Sequence, residues 1–118
     1  MIMVLFVLHD STKLEDVLAA WQDAGVTRAT VLWSAGLRSV RPGEGLRDDT
    51  PLIPSLEDFY PDVEGMNRTI FAVMKDDSRV DAIAAATEAV VGSLSDPHTG
   101  LLVVLPVLRA FGMDKTED

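Results

Sequence analysis

The sequence predicts an α+β sandwich, with a four-stranded antiparallel sheet and two helices on one of its faces. Three observations carry this. Four short runs rich in aliphatic residues, at 2–8, 29–33, 69–74 and 101–108, read as strands. Two stretches between them, opening at Thr12 and Ser78, repeat apolar residues at helical spacing. The order strand, helix, strand, strand, helix, strand then places both helices on one face, because the crossovers are right-handed.

The run at 2–8, IMVLFVL, is apolar at every position, as in a strand buried on both faces. Thr12-Lys13-Leu14-Glu15 has capping-box spacing, in which hydroxyl and carboxylate satisfy free amides at a helix start. Leu14, Val17, Leu18 and Trp21 form the apolar stripe of that helix, and Gly25 is its stop signal. The second strand, 29–33, is followed by a break in pattern from Gly36 to Asn67. This stretch holds Pro42, Pro51, Pro54 and Pro61 among many acids, with one helical turn expected near 55–60. A loop of this length in a small domain is functional or disordered. The third strand is 69–74. The second helix opens at Ser78-Arg79-Val80-Asp81, with a stripe of Val80, Ile83, Ala84, Val90, Val91 and Leu94. A turn at 95–100 leads to the last strand, where Pro106 points to a sheet edge or a bulge. The whole is the ferredoxin-like βαββαβ arrangement.

The chain has 118 residues, which is one domain, 1–118, with the long insertion at 37–66 inside it. No apolar run is long enough to span a membrane, and the first strand lacks the basic leader of a signal peptide. Cysteine is absent, so disulfides, thiolate catalysis and cysteine metal sites are excluded. A cytoplasmic location is expected. The net charge of −9 argues against nucleic acid and anionic membrane surfaces. Two helices cover one side of a sheet. The first and last strands are apolar on both sides, so the second side is expected to be covered by further copies of the chain.

Lys13-Leu14-Glu15-Asp16-Val17, then Gly25-Val26, Thr30-Val31 and Gly36, resemble the opening of PII-type signal-transduction proteins, and Pro106-Val107 resembles the end of their last strand. The resemblance covers most of the chain in layout and only short strings in identity. It implies a cytoplasmic homotrimer that binds an adenine nucleotide in clefts between subunits. It also implies that the insertion at 37–66 is a long signalling loop, the T-loop, which docks on a partner protein, with nitrogen regulation as the family's best-known role. The phosphate-binding string of the family, glycine-aspartate-glycine-lysine, is replaced here by His98-Thr99-Gly100-Leu101. The two arginines that follow the last strand fall at Gly112 and Asp114, with Arg109 nearby. Tyr60 lies too near the far end of the loop to match the tyrosine some members modify. ATP is therefore expected to bind weakly or not at all.

The residues placed at the ligand cleft are Thr30, Gly36, Arg38, His98, Thr99, Gly100 and Arg109. Arg38, Arg41 and Arg47 also read as local charge balance in an acidic loop, and His98 as a solvated turn residue. His9 and His98 are too few to identify a metal site. No Walker loop, nucleophile elbow or HExxH string is present, and no residue is assigned a catalytic role. Trp21 and Trp33 are expected in the core or an interface. Two alternatives stand beside the sensor reading: a metal-linked trimer resembling the divalent-cation tolerance proteins, and a structural trimer without ligand.

Overall fold

The computed structural model describes residues 1–35 and 67–113. Strand β1 is Ile2–Leu8, helix α1 is Leu14–Asp23, β2 is Thr30–Ser34, β3 is Asn67–Met74, α2 is Val80–Val91 and β4 is Gly100–Pro106. The strands form one antiparallel sheet in the order β2-β3-β1-β4, which is the ferredoxin-like α+β arrangement the sequence predicts. The insertion at 37–66 and its expected turn lie outside the described residues, as do Gly36, Arg38, Tyr60 and 114–118.

Alternation in β1 sorts the sheet into two faces. Val4, Phe6 and Leu8 point to one side, where Ile70 and Ala72 of β3 join them across the register Phe6↔Ile70 and Val4↔Ala72. This set is sealed by Val17 and Trp21 of α1 and by Ile83 and Val91 of α2, and all are buried. Burying side chains of this size contributes roughly 1.5–3 kcal/mol each. Met3, Leu5 and Val7 point to the other side and pair with Val73, Phe71 and Thr69, and with Leu105, Val103 and Leu101. No described helix lies on that side. Leu101 is 59% exposed and Leu105 43%. β1 is thus buried on one face within the single chain, not on both.

Several local expectations shift. Asp10, not Thr12, caps the first helical region: its carboxylate accepts from the Thr12 amide at 3.1 Å and from the Thr12 hydroxyl at 2.6 Å. A 3-10 turn at Ser11–Lys13 follows, and α1 begins only at Leu14. Lys13 takes the N-cap position of α1 with no side-chain cap bond, so no capping box forms. Gly25 ends the helix as expected, with φ of 110°. β3 begins two residues earlier than predicted, at Asn67. β4 ends at Pro106, whose missing N–H the edge position tolerates, and Leu108 beyond it is 91% exposed. The buried stripe of α2 runs Ile83, Thr87, Val91, so a threonine occupies the centre of the helix–helix contact. Its hydroxyl donates to the Ile83 carbonyl at 2.7 Å and accepts from the Trp21 indole N–H at 2.9 Å. Both polar groups are thereby satisfied inside the core. Trp21 is a core residue, whereas Trp33 is 59% exposed at the edge, stacked under the Arg68 guanidinium at 3.4 Å.

Candidate functional site

The described residues place the predicted cleft residues in separate parts of the sheet. His98, Thr99 and Gly100 lead into β4, while Arg109 lies past its other end at Pro106. Six strand steps separate those ends, which is about 20 Å. Thr30 sits on β2, the opposite edge strand, at the level of Phe71. A single chain therefore does not bring Thr30 and His98–Gly100 to one ligand.

At the His98 end the fold explains the residues by packing. Gly100 has φ of 135°, and a Cβ there would lie 2.5 Å from the Val7 carbonyl oxygen and 2.6 Å from the Phe6 ring. Only glycine fits that approach between β4 and β1. His98 takes a left-handed φ of 69°, and the Thr99 hydroxyl donates to the Asp96 carbonyl at 3.0 Å, tying the turn together. The pairing Leu8↔Gly100 brings His9 to the same end of the sheet, but no group of three metal-ligating side chains occurs among the described residues.

Thr30 has a different setting. After β4 the chain turns back, with the Val107 amide donating to the Met1 carbonyl at 3.0 Å, and Arg28 reaches the Gly112 carbonyl at 3.4 Å. This tail and β3 enclose a cavity of about 260 Å³ lined by Arg28, Thr30, Phe71, Val73, Phe111 and Met113 among others. Phe71 and Val73 belong to the open sheet face, so the cavity opens along that apolar surface. Arg109 stands beside it with its guanidinium 5.3 Å from the Phe111 ring centre. The lining offers an apolar floor, the Thr30 hydroxyl and the Arg28 guanidinium, which suits a flat or apolar body carrying negative charge.

A second cavity of about 380 Å³ adjoins it, sharing Arg28, Val73 and Met113. Its further lining comes from Gly25, Lys75, Asp76, Ser78 and Arg79. Asp76 accepts from the Ser78 amide at 2.9 Å, and hydrogen bonding from Ser78, side chain first, holds its carboxyl below the usual carboxylate range. None of the described residues predicted for the cleft lines this second cavity. Arg28 is distant in sequence from Lys75 and Arg79, and no local string links them. Among the described residues no helix is long and apolar enough to cross a membrane.

No family model matches the sequence, and no curated protein matches it.

Proposed function

We propose that this chain is a PII-like regulatory protein: a homotrimer that senses a small ligand at clefts between its subunits and acts on a partner protein through residues 37–66. The observation that carries the reading is the separation of the cleft residues. Thr30 with the tail cavity, and His98–Gly100 at the far end of β4, can serve one ligand only if they come from two chains. The apolar open face supplies the means of joining those chains, since Leu5, Phe71 and Val103 lie side by side on it. On this reading Thr30, Arg109 and the tail of one subunit face His98–Gly100 of the next. The ligand then biases the loop between orders, which is a population shift. The role is regulatory, not enzymatic, and the assembly is cytoplasmic.

Leu101 occupies the position at which the resembling family has a phosphate-facing lysine, so one charged hydrogen bond is lost. That costs roughly 1.5–3 kcal/mol, or about one to two orders of magnitude in affinity. Calorimetry with ATP, ADP, AMP and cyclic AMP tests the reading. The expected outcome is weak or absent ATP binding, with tighter binding in Leu101→Lys. Micromolar ATP binding by the unaltered chain, or a Leu101→Lys variant that changes nothing, would show the phosphate loop to be misplaced.

A further inference from the structure

We infer that copies of this chain join edge to edge, the outer edge of β4 in one copy pairing antiparallel with the outer edge of β2 in the next. The inference rests on the self-assembly proposed above and names the backbone groups that make it. The hydrogen-bond phase of the sheet identifies those groups. The Val107 amide donates to the Met1 carbonyl at 3.0 Å, which marks residues 107 and 1 as a bonded pair. In an antiparallel ladder, bonded and non-bonded pairs alternate. Leu105, Val103 and Leu101 therefore bond to Met3, Leu5 and Val7 of β1, and Leu102 and Val104 turn their N–H and C=O groups outward. Ile2, Val4, Phe6 and Leu8 of β1 bond in turn to Met74, Ala72, Ile70 and Arg68 of β3. That leaves Phe71, Thr69 and Asn67 to bond Thr30, Leu32 and Ser34 of β2, so Val31 and Trp33 face outward. Pro106 falls on the outer phase of β4, where its missing N–H removes no bond within the chain.

Among the described residues no strand covers either outer edge. Both edges also lack the charges and bulges that ordinarily block pairing. Charged residues make up 25% of the chain, yet neither Thr30–Ser34 nor Gly100–Pro106 holds one. Large apolar side chains are exposed on both instead: Leu32 and Trp33 on β2, Leu101, Val104 and Leu105 on β4. Direction selects β2 as the partner of β4. Neighbouring strands are antiparallel throughout, so the two edge strands of the four run in opposite directions. A second copy set beside the first in the same orientation presents β2 antiparallel to β4, with its helices on the same side. The faces then match as well. Val31 and Trp33 share the helix side with Leu102 and Val104, and Leu32 shares the open side with Leu101 and Leu105. Copies joined this way into a closed ring leave no edge unpaired, whereas pairing β4 with β4 of a second copy leaves both β2 edges open.

The test is residue-resolved amide exchange of the full chain by NMR, with the mass of the same samples read by light scattering. The expected result is a mass above that of one chain, with the amides of Val31, Trp33, Leu102 and Val104 slowed by about a hundredfold or more relative to unstructured amides. None of the four has a strand partner within its own chain, so only a neighbour can protect them. Val104→Pro removes an outer donor and no inner bond. It should weaken association by about tenfold or more with the helical circular dichroism signal retained, and Val104→Lys should do the same by placing a charge on the edge. Protection of Leu102 and Val104 without Val31 and Trp33 would mean that β4 pairs with itself, which overturns the inference. An assembled chain in which all four amides exchange freely overturns it and leaves the proposed self-assembly standing. A single-chain mass at every concentration overturns both.

Discussion

On one face of the sheet Val4, Phe6, Leu8, Ile70 and Ala72 are sealed under two helices, each at most 3% exposed. On the other, Met3, Leu5, Val7, Phe71 and Val103 are of the same chemical kind, and no described helix covers them. A single-chain antiparallel sheet with one solvated face ordinarily shows polar residues there. The difference is that among the described residues one apolar face is packed under helices and the other is not.

Substitutions on the two faces sharpen the contrast. Phe6→Ala should have the largest effect, about 3–5 kcal/mol lost in urea unfolding, because the ring is fully buried between the sheet and both helices. Gly100→Ala comes next, at about 2–3 kcal/mol, since the added methyl meets the Val7 carbonyl in a left-handed backbone. Thr87→Val should cost about 1–3 kcal/mol by leaving the Trp21 N–H without its acceptor, read by the same unfolding curves. Leu105→Asp on the open face should behave differently. Unfolding of the isolated chain should change by only about 0.5 kcal/mol, while self-association is lost. A Leu105→Asp chain that unfolds as readily as Phe6→Ala would erase the distinction between the faces. Asp10→Asn is the smallest. The Thr12 hydroxyl holds the Asp10 carboxyl below its ordinary value, so its contribution is present above that value and is lost as pH falls through the depressed one. The variant should lose less than about 1 kcal/mol near neutrality and show a flatter acid limb.

The element order was legible because the strand runs and the helical stripes have distinct periods, and the layered fold follows from that order. What stayed hidden depended on neighbours far away in sequence. Thr87 looks like an interruption in an apolar stripe until Trp21, on the other helix, supplies a donor. The spacing 83, 87, 91 was the available signal. Thr12-Lys13-Leu14-Glu15 satisfies capping-box spacing, but Asp10 caps a 3-10 turn first and α1 starts one residue later, from Lys13. Gly100 reads as a ligand loop glycine, whereas the close approach of β1 is enough to require it. Of the cleft residues, Thr30 lines a cavity and His98–Gly100 lie at another end of the sheet, and no spacing rule reports that distance. Arg28 comes from the loop before β2 and Lys75 and Arg79 from the connection after β3, and their shared cavity is visible only once the two segments are folded together.

The central claim is that copies of this chain cover the open face, and the mass in solution tests it most directly. Multi-angle light scattering of the full chain, from low to high micromolar concentration, should give three times the 12.8 kDa chain mass. Leu105→Asp should bring it down to the single-chain value with the helical circular dichroism signal retained. An unaltered chain that scatters as 12.8 kDa at every concentration would contradict the account.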